Sequence, residues 1–153
     1  MKKLIALLMV LVVLSTCLCT FASSNIIIDG QSVSIPEGMG EVFSKDDITY
    51  VPVRFILEYF GYDVLYSVPE KQVMGTDSKG NLFMMQLGNP LLFHKGSDMN
   101  EIKKVAMDVV PFADYSIGRT YIPAVSLFDE LGYSLELDEG ANTVIVFKKA
   151  VAE

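Results

Sequence analysis

Residues 49–62 read TYVPVRFILEYFGY, and residues 120–133 read TYIPAVSLFDELGY. In both, a Thr-Tyr pair leads to a proline and, nine residues past it, to Gly-Tyr, so the stretches correspond at a constant offset of 71 residues. The correspondence continues downstream, where Gln72-Val73-Met74 falls on Thr143-Val144-Ile145. A recurrence at fixed spacing predicts an internal duplication.

Each stretch has the periodicity of a short amphipathic helix. Val53, Ile56, Leu57 and Phe60 stand at i, i+3, i+4 and i+7, as do Ala124, Leu127, Phe128 and Leu131, which gathers each set on one face. Pro52 and Pro123 suit the first helical turn, where a missing N–H costs nothing. Gly61 and Gly132 suit the left-handed position just past the last turn.

The flanks read as strands. Ile26–Ile28 and Ser32–Ile35 enclose Asp29-Gly30, a two-residue turn suited to a type I′ hairpin. Each helix is followed by a strand (63–66 or 134–137), a turn and a second strand (72–76 or 143–148), and Asp77 to Gly80 reads as a hairpin turn into residues 81–87. The expected fold class is α+β, mainly antiparallel strands with two short helices. The repeats cover about 26–88 and 91–148, and each alone is too small to be stable, so the two are expected to share one core. Within 91–114 periodicity is weak, and the expectation there is an irregular connection.

Upstream, Lys2 and Lys3 precede eleven unbroken apolar residues, Leu4 to Leu14, and small residues follow. This is the pattern of a secretory signal peptide over residues 1–22, cut after Ala22 or after Ser24. Two alternatives stay open: an uncleaved anchor, since Leu4 to Ala22 is nineteen residues, and a lipoprotein, with Leu14-Ser15-Thr16 before Cys17 as an imperfect lipobox. Cleavage removes Cys17 and Cys19, both cysteines of the chain, so the exported domain relies on its core and not on disulfides. The apolar fraction of 51% over all 153 residues owes much to this leader. Twelve basic residues less Lys2 and Lys3 leaves ten, against nineteen acidic ones, a net charge of −9. Such a surface repels nucleic acid and anionic lipid, so neither is an expected partner, and no membrane contact is expected after cleavage.

The string Asp29-Gly30, then Thr-Tyr-Val-Pro-Val-Arg (49–54), Glu58, Gly61 and Val64, resembles the bacterial copper amine oxidase N-terminal (N1) domain family. Gly118-Arg119-Thr120-Tyr121-Ile122-Pro123, Glu130, Leu131, Gly132 and Thr143-Val144-Ile145 are similar to its second half, giving coverage of about 26–148. The structural motif is carried by Pro52, Arg54, Gly61, Arg119, Pro123 and Gly132. Asp47-Ile48 stands where the family usually has Gly-Arg, and Val125 stands where Arg54 has its counterpart, so no role needing Arg at both helix starts is implied. The resemblance implies a secreted or cell-surface accessory module and does not by itself imply copper or amine oxidation.

The residues argue against catalysis. An amine oxidase copper site needs three imidazoles, and the chain has one histidine, His94, read as a strand-face residue. A structural zinc site lacks ligands, and no G-x-S-x-G or H-E-x-x-H motif is present. The acidic turns 77–81 and 138–142 lack the ligand spacing of a calcium loop and read as hairpin turns. Met84 and Met85 alternate across a strand, which suits core filling better than Cu(I). No catalytic residue, metal ligand or cofactor is therefore expected. Arg54 and Glu58, four apart, suit a surface ion pair worth about 0.3–0.5 kcal/mol, or Arg54 reaches the other repeat.

Exposed tyrosines near helix ends and loops form the expected partner surface: Tyr59, Tyr62, Tyr66, Tyr115 and Tyr133. The competing expectation packs Tyr62 and Tyr133 into the helix-to-strand corners. The leading functional expectation is a non-catalytic secreted or envelope module that binds a protein or glycan. The alternatives are a small carboxylate-dependent hydrolase and an envelope assembly subunit that pairs through a strand edge. Oligomeric state is left open.

Overall fold

The computed structural model describes residues 25–97, 100–138 and 143–150. Residues 1–24, with the expected signal peptide, its expected cleavage sites, Cys17 and Cys19, and residues 139–142 of the expected 138–142 turn lie outside the described residues. The chain runs β1 (Asn25–Ile28), β2 (Gln31–Val33), β3 (Phe43–Lys45), β4 (Ile48–Pro52), α1 (Val53–Tyr59), β5 (Tyr62–Ser67), β6 (Gln72–Asp77), β7 (Leu82–Gln86) and β8 (Leu91–Lys95). It continues through β9 (Lys103–Ala106), β10 (Phe112–Asp114), β11 (Arg119–Pro123), α2 (Ala124–Glu130), β12 (Tyr133–Asp138) and β13 (Thr143–Lys148). Strands are ordered β12-β13-β1-β2 in a terminal sheet, β10-β11-β4-β3 in a central sheet and β5-β6-β7-β8-β9 in a five-stranded sheet. The fold is α+β with mostly antiparallel strands.

Each helix begins where a strand runs out at proline. Pro52 (φ −70°, ψ 114°) and Pro123 (φ −55°, ψ 125°) are extended and occupy the N-cap, one residue earlier than the first-turn placement expected. Val53, Ile56 and Leu57 are buried in α1 and Ala124, Leu127 and Phe128 in α2, while Phe60 and Leu131 sit half-buried at the C-caps. Gly61 and Gly132 both take φ +84°, and their N–H groups donate to Glu58 and Asp129 carbonyls at 3.0 and 3.1 Å, closing each helix as glycine alone does without strain.

The two helix-bearing segments meet at the centre. β4 and β11 pair antiparallel with Val51 opposite Ile122, positions that correspond in the two segments, flanked by Pro52 opposite Tyr121 and Tyr50 opposite Pro123. Each helix packs on both central strands, α1 continuing onto β5 and α2 onto β12. The hairpins that follow match pair for pair: Tyr62↔Asp77 through Ser67↔Gln72 in β5–β6, and Tyr133↔Lys148 through Asp138↔Thr143 in β12–β13. One hydrophobic cluster holds residues from all three sheets and both helices, among them Ile26, Val51, Ile56, Phe83, Ile122, Phe128 and Val146.

Beyond those hairpins the segments diverge. β6 continues antiparallel into β7, whereas β13 pairs in parallel with β1, Ile26 opposite Val144 and Ile28 opposite Val146, the one parallel pairing among the described strands. The β1–β2 hairpin turns at Asp29 (φ +50°) and Gly30 (φ +79°), the two positive φ angles of a type I′ turn. Residues 91–114 are not an irregular connection but carry β8, β9 and β10. The expectation failed because Leu91-Leu92-Phe93 is apolar on both faces and β9 (KKVA) is an edge strand held by backbone pairing to β8, so neither shows alternation.

Candidate functional site

Two grooves flank the central sheet, each between one of its hairpins and the outer strand of a neighbouring sheet. The first, about 240 Å³, lies between the β10–β11 hairpin and β5. Its floor is apolar, with Pro52, Val53, Val64, Val73 and Ala113, and its rim carries Arg54, Tyr66, Asp114 and Tyr115. The second, about 390 Å³, lies between the β3–β4 hairpin and β12, and is polar: Ser44, Lys45, Asp46, Asp47, Thr49 and Asp138 contribute to it. Shifted by the offset between the segments, Tyr66 of one groove corresponds to Leu137 of the other, Val73 to Val144 and Thr120 to Thr49.

The five tyrosines expected at a partner surface separate into three places. Tyr66, on β5, and Tyr115, in the β10–β11 turn, converge on the first groove at 43% and 75% exposure. Tyr59 is exposed at the end of α1, its ring centroid 5.4 Å from that of Phe60. Tyr133, half-buried, has its ring centroid 5.0 Å from that of Phe60, and burial followed by the charge and hydrogen bond of Asp29 raises its pKa. Tyr62 belongs to the core: it is buried against Phe83 at 5.2 Å, and burial, then the nearby charge of Asp77, pushes its hydroxyl up to about 12. Sequence reasoning did not find Val64, Val73, Ala113 or Asp114 as groove residues, because β10 had not been read as a strand.

The arginines anchor the hairpins. Arg54 pairs with Glu58 at 3.1 Å on the surface, and its Nη2 donates to the Val64 carbonyl at 3.2 Å. That bond fixes the helix start to β5 within the first segment. It is Arg119 that spans a long chain separation, its Nε donating to the Gly38 carbonyl and its Nη1 to Gly118. The loop it holds covers an aromatic cluster of Phe43, Tyr50, Phe112 and Tyr121, one from each central strand. Gly40 (φ +93°) lets that loop approach: a Cβ there would stand 2.8 Å from the Tyr121 hydroxyl.

His94 is on a strand face, as read from the sequence, with its ring stacked on Phe83 at 4.4 Å. Its Nδ1 lies 3.1 Å from Glu130 Oε2, and Lys103 Nζ donates to Glu130 Oε1 at 2.7 Å. Glu130 thus ties the end of α2 to β8 and β9. Among the described residues no group of three or more His, Cys, Asp or Glu is arranged to hold a metal. Asp77 feels desolvation that raises its pKa, but hydrogen bonds from the Asn81 side chain and from backbone N–H groups of its turn outweigh it and lower the pKa. Asp114 is lowered by the Ser116 side chain and backbone. Both shifts run opposite to what a general acid at neutral pH needs. The 77–81 stretch is a hairpin turn closed by Asp77 Oδ1, which accepts from Lys79 N and Asn81 N, both at 2.9 Å.

The fold is that of a small, strand-rich α+β domain with grooves beside the hairpins of its central sheet. The chain belongs to the copper amine oxidase N-terminal domain family, whose sequence model matches residues 27–146. No curated protein and no solved structure matches it.

Proposed function

We propose that this domain is a non-catalytic module exported to the cell surface or beyond, and that it holds a partner in the apolar groove between β5 and the β10–β11 hairpin. One observation carries the reading: two exposed tyrosines, far apart in sequence, converge on one apolar cleft. Exposed aromatics over an apolar floor supply contact area at low entropic cost. The floor of Pro52, Val53, Val64, Val73 and Ala113 suits apolar side chains of a protein segment better than a sugar, whose hydroxyls need polar partners around the ring. A protein of the envelope is therefore the favoured partner, and a glycan the alternative.

The matched registers of β5–β6 and β12–β13, and the pairing of Val51 with its counterpart Ile122, support an origin by duplication of one strand-helix-hairpin unit. In this reading one copy kept an apolar groove for a partner and the other became polar. The signal-peptide pattern of residues 1–22 supports export, with the cut after Ala22 or Ser24.

The test is capture of envelope proteins, beside a glycan array, by the wild type and by Tyr66→Ala, Tyr115→Ala and Tyr59→Ala variants. The expected result is a discrete protein retained by wild type and Tyr59→Ala and lost by at least about tenfold with Tyr66→Ala and Tyr115→Ala, which corresponds to hot-spot side chains. Retention by all four proteins, or binding to none, contradicts the proposal; binding confined to the array replaces the protein with a glycan.

A further inference from the structure

The five-stranded sheet has two unlike faces. Strand alternation sends Val64, Val73, Phe83, Met85 and Leu92 inward, where all are core residues. The helix over this sheet, α1, lies on that inner side, where Leu57 approaches within 3.0 Å of the position a Gly75 Cβ would take. The opposite face is built from the intervening residues, and pairing aligns one row of them across all five strands: Leu65↔Met74↔Met84↔Phe93↔Lys104. Four of these five are apolar. None is buried, and Leu65 is 63% exposed.

The charges on this face have a direction. The adjacent row reads Asp63↔Thr76↔Leu82↔Lys95, so the acid lies on the β5 edge while Lys95 and Lys104 lie on the β8–β9 edge. In a chain of net charge −7, a face with one acid and two lysines carries the opposite sign to the whole, which lowers the repulsion between two copies meeting there. A two-fold axis along β7 would bring β5 over β9 of the second copy, setting Asp63 beside the partner lysines and stacking Met84 on itself. A two-fold axis across the strands would instead set Lys104 against Lys104. Self-complementarity of this kind is what a two-fold interface requires.

We infer that the outer face of this sheet is a self-association surface, on which a second copy of the chain packs face to face about a two-fold axis parallel to β7. Five strands at about 4.8 Å spacing, each contributing about five residues at about 3.4 Å, cover roughly 400 Å² per copy. A stable interface buries about 800 Å² on each side, so this dimer is weak and forms at high local concentration.

Sedimentation equilibrium of the purified protein tests this, carried to about 1 mM, where even a weak association is populated. The expected result is a monomer–dimer equilibrium that Met84→Lys shifts at least about tenfold toward monomer. Asp63→Lys and Lys104→Asp are each expected to weaken it, and together to restore part of it, since Lys95 keeps its charge. Both positions are exposed, so these variants decide the matter even where Met84→Lys fails to fold. A short bismaleimide is expected to link two copies through Met84→Cys, and through Leu65→Cys only when mixed with Lys104→Cys; facing sheets about 10 Å apart are too far for a direct disulfide. A wild type that stays monomeric throughout, a dimer indifferent to these substitutions, or a face that captures a different protein while the chain remains monomeric overturns the inference.

Discussion

The segments β4–α1–β5–β6 and β11–α2–β12–β13 share strand registers, helix length and the left-handed glycine that ends each helix, yet differ at positions facing their surroundings and at one buried position of the second hairpin strand. Tyr59 stands exposed where the second segment has Glu130, which is held by His94 and Lys103. Gly75 stands where the second segment has Val146, fully buried. Tyr66 and Tyr115 rim one groove, while Asp46, Asp47 and Asp138 contribute to its counterpart. Residues inside the shared frame are set by packing; residues at its margins are free to take on separate tasks.

The largest effect is expected from the deepest part of the frame. Phe128, fully buried, should cost about 3–5 kcal/mol on truncation to alanine, read from urea unfolding. A loss below about 1 kcal/mol would mean that α2 is not part of the common core. Next comes the glycine that distinguishes the two hairpins. Gly75→Val installs the residue of the corresponding position and should cost about 1–3 kcal/mol through overpacking against Leu57. If the variant is as stable as wild type, the segments are more interchangeable than their packing implies.

Smaller still is the contrast at the helix ends. Glu130→Ala leaves His94 and Lys103 without their acceptor and should cost about 1–3 kcal/mol, whereas Tyr59→Ala at the corresponding position should stay within about 0.5 kcal/mol. Equal effects would erase the distinction. The smallest effect concerns Asp77, which corresponds to Lys148 in the second segment. Its folded pKa is lowered, so its contribution to stability is present above the ordinary aspartate pKa and fades as pH falls through the folded value. Carboxyl NMR titration should show it deprotonating below the ordinary range, and Asp77→Asn should flatten the acid limb of the melting temperature slightly.

Much of this frame was legible because each segment states its own boundaries. Proline and glycine punctuate both helices, Asp29-Gly30 announces a type I′ turn, and the offset exposes one segment through the other. What stayed hidden depends on partners distant in the chain. Periodicity does not say that β13 will accept β1 in parallel, and β9 has no apolar alternation because Val105 is its one side chain packed against the core, while Lys103 pairs with Glu130. Tyr62 and Tyr133 occupy the same place in their segments, yet one packs on Phe83 and the other reaches Asp29, because the third strand differs. The groove itself is the meeting of β5 with a hairpin about fifty residues later, which no local pattern encodes.

The two grooves make the functional reading directly testable in the producing cell. A phenylalanine-based photo-crosslinking amino acid, which keeps an aromatic ring at position 115 beside the apolar groove, or the same residue at position 46 beside the polar one, probes both on the same fold. A discrete adduct with a second protein from position 115 and none from position 46 is the predicted result. Adducts from position 46 alone, equal adducts from both, or none from either would contradict the assignment of partner binding to the apolar groove.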